Sequence, residues 1–297
     1  MGPTSKDRES GADDKAASKI GKLRSLVLSL LHEHESAGDD GLPTSARFLY
    51  YELVQRGHLE KHKSKGAKGR RSDQDLHDAL TDLRESGQVP WDWIEDETRS
   101  LDDHTGWASL ATWATTMVEH TRLDPWRSRA PLILTESRSV AGALRKLADE
   151  YAVKIAPTNG HVGGFLHTDV APQLSPGDRV FYIGDFDWQG NQIEANTRRV
   201  LERLIGGELD WQRIALTEEQ VEQYNLAPVQ IMKPDRRYRP VRYHPAIETE
   251  ALKQHVIVAI VRDQLDNELP EPLPRVLERE ARQRRQMASL LRRGRRA

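Results

Sequence analysis

The sequence predicts an α/β protein in two parts, a helical N-terminal unit followed by a unit built on a parallel sheet. Three observations predict it. Apolar residues recur at helical spacing through the first third of the chain, short apolar runs alternate with helical patterns from Pro131 onward, and acidic residues stand directly after two of those runs. At 297 residues the chain has room for two ordinary domains. The expected division is a disordered polar tail over 1–17, a helical unit over 18–128, a sheet unit with its C-terminal extension over 129–270, and a basic Arg-rich tail over 271–297.

The first helix runs from Ser18 to about Glu35, where Ile20, Leu23, Leu26, Val27, Leu30 and Leu31 share one face. Gly38 and Gly41 break it. Leu42-Pro43-Thr44-Ser45 starts a second helix over Ala46 to Gln55, with Thr44 or Ser45 as its cap. A third helix covers Ser72 to Ser86 and ends at Gly87. Gln88-Val89-Pro90-Trp91-Asp92-Trp93-Ile94, alternating and aromatic, suits a short strand pair. Three helices and a small hairpin within one domain's length give the order of a winged-helix DNA-binding module, a helix-turn-helix variant; helical bundles share that order. A further helix over 107–127 closes the unit.

Leu132-Ile133-Leu134-Thr135 opens the second unit as a short strand ending at Glu136, followed by a helix from Ser139 to Tyr151. Val153-Lys154-Ile155-Ala156 is the next strand. Arg179 to Ile183 is the third, a helix covers Asn191 to Leu204, and Arg213-Ile214-Ala215-Leu216 is the fourth strand. Such repeats indicate a parallel, Rossmann-like sheet covered on both faces, in which ligands sit beyond the carboxyl ends of the strands.

Composition narrows the chemistry. No cysteine is present, which excludes disulfides and thiolate metal sites. No stretch has the roughly 20 apolar residues of a membrane-spanning helix, and the polar first 17 residues lack the apolar run of a secretory signal, so the protein is expected in the cytoplasm with no membrane partner. The net charge of −2 conceals an asymmetry: six Lys or Arg and no acid over 61–71, and nine Arg against two Glu over 275–297. Focused positive charge of this kind suits a polyanion partner, although solvated basic segments occur in proteins that never meet nucleic acid.

The segment "GDFDWQG" places Asp185 and Asp187 at the end of the third strand, as Glu136 ends the first. Three carboxylates at one sheet edge would cost several kcal/mol each, by order of magnitude, if buried unpaired. A cation is therefore expected. Oxygen ligands without sulfur favour Mg2+ or Mn2+, and Mg2+ ordinarily acts beside phosphates. A lone Asp-x-Asp also occurs as a helix cap, and Gly190 behind it permits a close backbone turn.

Glu136 followed about fifty residues later by Asp185-x-Asp187-x-x-Gly190 resembles the Toprim domain of topoisomerases, bacterial primases and overcoming-lysogenization-type nucleases. Within it, the closest resemblance is to the A subunit of topoisomerase VI and its meiotic double-strand-break relatives, which place a winged helix before the Toprim domain. Arg47-Phe48-Leu49-Tyr50-Tyr51 looks like that family's Arg-x-x-Tyr-Tyr, and Glu248-Thr249-Glu250-Ala251-Leu252 is similar to its Glu-x-Glu-Ala-Leu signature. The ordered set spans residues 40 to about 265. It also resembles compact bacterial and phage-encoded Toprim proteins, in which "PWDWIED" would be a wing strand.

The resemblance implies that Tyr51 attacks a DNA phosphodiester and keeps the 5′ phosphate, with Arg47 beside it. Glu136 assists the leaving 3′ oxygen, and Glu136, Asp185 and Asp187 hold Mg2+ or Mn2+. It further implies a two-fold homodimer on double-stranded DNA and a separate ATPase subunit as a partner. Lys61, Lys63, Lys65, Lys68, Arg70 and Arg71, with the Arg-rich tail, would contact phosphates without reading sequence. Read without the resemblance, Tyr51 is a common kind of amphipathic core residue with its hydroxyl at the rim. Two rivals stand beside the transesterase: a metal-dependent nuclease that uses water, and a DNA-binding scaffold whose acids balance a structural cation.

Overall fold

Four short strands, β1 (Leu132–Thr135), β2 (Lys154–Pro157), β3 (Arg179–Ile183) and β4 (Asp210–Ala215), form one all-parallel sheet in the order β2-β1-β3-β4. The structure is a computed structural model and describes residues 5–60, 72–96, 103–159, 164–228 and 246–294. Leu132, Ile133, Leu134 and Thr135 pair in register with Val180, Phe181, Tyr182 and Ile183. β1 is buried along its whole length, as expected of a central parallel strand with both faces covered.

The two faces separate by the strand period of two. Ile133, Phe181, Ile183 and Ile214 join one core with Val140, Leu144 and Leu147. Those last three lie on α5 (Arg138–Glu150), and α8 (Gln254–Glu268) adds Ile257, Val258 and Val261 to the same core. Leu132, Leu134, Val180 and Tyr182 join a second core with Leu166, Val170 and Leu201, the last from α6 (Trp188–Ile205). From β1 the chain passes through α5 to β2 on one side. It then returns past β1 to β3 on the other, so the crossover direction reverses between β1 and β3. In an open parallel sheet that reversal leaves a crevice beyond the strand ends.

The N-terminal unit packs α1 (Ser5–Ser36), α2 (Ala46–Gln55) and α3 (Ser72–Glu85) around Val27, Leu30, Leu31, Leu49, Leu53, Leu76, Leu80 and Leu83. Ser45 caps α2 by accepting from the Phe48 N–H. On α2 successive residues serve different cores: Leu49 and Leu53 face the helical unit, whereas Phe48, with no exposed surface, belongs to the core of the sheet unit. Polar contacts repeat the attachment. The Gln254 side-chain amide donates to the Pro43 and Gly41 carbonyls at 2.9 and 3.1 Å, and Arg262 pairs with Asp40 at 2.7 Å. The two units are thereby fixed to each other through α2 and the loop before it.

Four expectations are corrected. The segment 1–17, expected as a disordered tail, is helical from Ser5, because adding turns to an existing helix avoids a new nucleus and Lys15, Ala16 and Ala17 continue it with good helix formers. Gln88–Ile94 does not form a strand pair: Trp91–Trp93 is a 3-10 turn, and Ile94 makes one parallel bridge to Thr44. Pro90 begins that turn and lacks the N–H a ladder needs. The helix expected over 107–127 is only α4 (Leu110–His120); beyond it Trp126 turns into the sheet core, its indole donating to the Tyr151 carbonyl at 2.6 Å. Finally, the basic segment expected as a tail is α9 (Leu273–Gly294), held down by buried Leu273, Val276 and Glu280. Its arginines dominate the composition, but these three recur at helical spacing on one face.

Candidate functional site

Glu136 leaves β1 with its backbone N–H donating to the Ile183 carbonyl at 2.8 Å, which extends the β1–β3 ladder by one residue. Its carboxylate turns back and accepts the Asp185 N–H at 3.1 Å. Asp185 itself receives the Thr249 N–H at 2.8 Å and the Thr249 hydroxyl at 2.9 Å, both on Oδ1. Thr249 arrives there because Phe186 and Ile247 form an antiparallel bridge, which lays the 246–252 segment across the strand ends. A 3-10 turn over Thr249–Ala251 then directs Glu248 and Glu250 to the same place. The result is a cluster in which Asp185, Glu248 and Glu250 offer carboxylate oxygens within 4.8 Å of one another.

From the helical unit, α2 supplies the opposite wall. The Arg47 guanidinium donates from Nε to Glu250 Oε1 at 2.5 Å and pairs with Glu248 at 3.0 Å. It also lies 5.1 Å from the centre of the Tyr51 ring, one helical turn further along. Glu248 is also near enough to the Tyr51 phenol to act on its charge. Glu250 is fully buried, and its Oε1 additionally accepts from the Ser137 and Ser139 hydroxyls, the latter at 2.6 Å.

The electrostatics follow, among the described residues, from four acids gathered near the Arg47 guanidinium, with Arg213 acting on Glu136 from behind. Burial, followed by the charges of Glu248, Glu250 and Glu136, holds the Asp185 carboxyl well above the usual carboxylate range. Burial likewise raises Glu136, against the Asp185 N–H and with help from Asp187 and Glu248. Burial also raises the Tyr51 phenol; Arg47 opposes this, and Glu248 and Glu250 reinforce it. For Arg47, burial works against its charge, but Glu250, Tyr51 and Glu248 outweigh it and raise its pKa.

Behind the cluster, Arg213 of β4 ties the loop together. Its guanidinium donates to the Gly184 and Leu216 carbonyls, both at 2.9 Å, while Nε pairs with Glu194 of α6 at 2.7 Å. Gly190 lies so close to this loop that a Cβ there would collide with the Asp185 carbonyl oxygen. The close approach is the physical requirement for glycine at this position.

Of the sequence-predicted residues, Arg47, Tyr51, Glu136 and Asp185 come together. Asp187 caps α6, its Oδ1 accepting the Gly190 N–H at 2.6 Å, and stands near Glu136 instead of among the three grouped oxygens. Lys61, Lys63, Lys65, Lys68, Arg70 and Arg71 lie outside the described residues. Sequence reasoning assigned no role to Glu248 or Glu250, although the Glu-x-Glu spacing repeats the Asp-x-Asp signal; neither follows a strand, so only the fold shows where they go. Ser137, Ser139 and Arg213 carried no signal at all.

An all-oxygen donor set of partly or fully buried carboxylates fits a hard divalent cation, Mg2+ or Mn2+. Among the described residues no helix is long and apolar enough to cross a membrane. No family model matches this chain, and comparisons with curated proteins and with solved structures found no match either.

Proposed function

We propose that the protein is a Mg2+- or Mn2+-dependent enzyme that cleaves double-stranded DNA, with a winged-helix-like unit presenting Tyr51 to a Toprim-like sheet edge. One observation carries the reading. α2 brings an arginine into ion pairs with carboxylates gathered at the crevice between β1 and β3, and a tyrosine against that arginine. A purely structural acid cluster has no need of a phenol from another unit.

The chemistry is a transesterification. The Tyr51 oxygen attacks phosphorus while Glu248, near enough to act on the phenol, takes the phenolic proton. The bond from phosphorus to the 3′ oxygen breaks, leaving a 5′-phosphotyrosine. Glu136, whose pKa is raised, retains a proton to give to the departing oxygen. Arg47 lies where it can balance charge on the phosphate. Asp185 with Glu248 and Glu250, or with Glu136, would hold a divalent cation, which would supply Lewis-acid stabilisation of the same charge. Basic segments at 61–71 and along α9 suit DNA phosphates. A homodimer on DNA and a separate ATPase subunit remain part of the proposal through the resemblance alone.

The test incubates the protein with supercoiled plasmid and Mg2+ or Mn2+, quenches in SDS, and analyses each sample with and without protease. The expected result is protein attached to 5′ ends, abolished by both Tyr51→Phe and Asp185→Ala. Cutting that survives Tyr51→Phe and leaves free ends identifies the water-using nuclease. Salt-sensitive binding without any broken strand identifies the scaffold.

A further inference from the structure

α4 is an apolar helix in which no residue is buried. Leu110, Trp113 and Met117 recur on it at helical spacing, and Leu110 and Trp113 keep 84% and 45% of their surface exposed. α9 shows the same anomaly. Its seam of Leu273, Val276, Glu280, Gln283, Met287 and Leu290 advances by threes and fours; the first three are buried on the body of the protein, whereas Met287 and Leu290 are 46% and 59% exposed. The two helices are antiparallel neighbours. Arg284 donates to the Thr121 carbonyl at 2.9 Å, and further along the groove between them Thr115 and Val118 stand against Ala288 and Leu291. Counted from those meeting sides, both exposed stripes are turned by roughly a third of a turn or slightly more, in the same rotational sense. In antiparallel helices that places them on one side of the pair.

We propose that this side of the α4/α9 pair is the surface on which two copies of the chain associate. Area and charge both select that occupant. By the usual size of such side chains, Leu110, Trp113, Met287 and Leu290 together expose on the order of 500 Å². A stable dimer buries about 800 Å² on each partner, about 65% of it apolar, which is a matching amount. Among the described residues the face itself carries no charge. In a chain with 30% charged residues it presents Leu110, Trp113 and Met117 beside Gln283, Met287 and Leu290, while Arg284, Arg285 and Arg292 line the groove between the helices. Arg279, at the edge of the seam, is paired with Glu271 at 2.7 Å. Phosphates or an acidic protein would find no cation on this face, whereas a second copy meets no like charge. The homodimer of the cleavage reading comes from the resemblance and has no assigned surface; this surface stands on exposure and composition and does not depend on cleavage.

The experiment is sedimentation equilibrium of the full chain over a range of concentrations, for the wild type, Leu290→Glu, Trp113→Ser and Arg285→Glu. All three side chains are exposed, and far-UV circular dichroism checks that each variant folds. The wild type is expected to dimerise, and Leu290→Glu and Trp113→Ser are each expected to raise the dissociation constant at least about tenfold, the loss of an interface hot spot. Arg285→Glu, on the groove side, should leave it unchanged. Raising the salt concentration should leave the dimer intact, since an uncharged face has no ion pairs to screen. Should Leu290→Glu fail to fold, Trp113→Ser decides. A wild type that stays monomeric, or a dimer indifferent to both apolar substitutions, overturns the proposal. So does a dimer dissolved by salt or by Arg285→Glu, which marks a basic interface instead. A dimer that never cuts plasmid keeps this surface and removes the cleavage reading; a monomer that cuts does the opposite.

Discussion

Phe48 is the residue on which the two units depend for their relative position, and Phe48→Ala measures how much. Its ring has no exposed surface and lies in the core that also contains Val140, Ile183, Ile247 and Leu252, whereas its neighbours Leu49 and Leu53 belong to the helical core. Truncating a fully buried phenylalanine removes its transfer free energy and leaves a cavity, together about 3–5 kcal/mol. Leu53→Ala should cost a comparable amount, about 2–5 kcal/mol, but entirely within the helical unit. The two variants therefore separate on a second readout. Urea unfolding followed by far-UV circular dichroism gives the loss of stability. Calorimetric titration with Mn2+ gives the state of the site, which Phe48→Ala should weaken because the ring shares its core with Ile247, Ala251 and Leu252, the residues that flank Glu248 and Glu250. Leu53→Ala should leave the site intact at temperatures where the protein is folded. A cost below about 1 kcal/mol for Phe48→Ala would show that α2 is not anchored in the sheet core, and equal effects of both variants on Mn2+ binding would refute the division of α2 between two cores.

Gly190→Ala forces a Cβ against the Asp185 carbonyl oxygen. It should cost about 1–3 kcal/mol by overpacking and also lower Mn2+ affinity; unchanged affinity would mean that the loop does not position Asp185. His34 gives a pH signature remote from the site. Burial works against its charge, but the Glu52 carboxylate at 2.7 Å, the Gly41 carbonyl and Glu33 raise its pKa above the ordinary 6.5. His255, itself lowered by burial and Lys253, faces it from α8. A raised folded pKa means that the stabilisation is complete below about pH 6.5 and is lost as pH rises through the folded value. The stability gap between wild type and His34→Gln should accordingly shrink between mildly acidic and mildly alkaline pH in urea titrations, and a constant gap would refute the assignment.

What was legible in the sequence divides along a physical line. Strands and helices of the sheet unit could be read because each carries its own periodicity: Leu132–Thr135 and Arg179–Ile183 are apolar runs, and α5 shows an apolar stripe. The acids at strand ends were legible for the same reason, since Glu136 and Asp185 follow directly from strand boundaries. Legibility failed where position is set by tertiary pairing. The bridge between Phe186 and Ile247 joins residues 61 apart in the chain, and no local pattern announces it, yet it helps deliver Glu248 and Glu250 to Asp185. Composition misled in two places. The polar start of α1 and the arginines of α9 look like solvated tails, but a helix can extend cheaply from a packed segment, and three inward residues are enough to seat α9.

The same distinction explains why the α2 motif was ambiguous until the fold placed it. On a helix, Arg47 and Tyr51 fall on one side, Phe48 and Leu49 on others, and a tyrosine in that setting is ordinarily a rim residue of the core. What removes it from that class is the company it keeps. Its ring lies under Arg47, and Glu248 and Glu250, which act on its charge, belong to a cluster assembled from residues about 135 to 200 positions away. Burying several acids beside one another costs stability, as the raised Asp185 and Glu136 carboxyls show, and such a cost is ordinarily met where the arrangement has chemical use. The energetic argument therefore favours a working site over a structural one, and it does so from Tyr51, Arg47 and Glu250 together, none of which carries that weight alone.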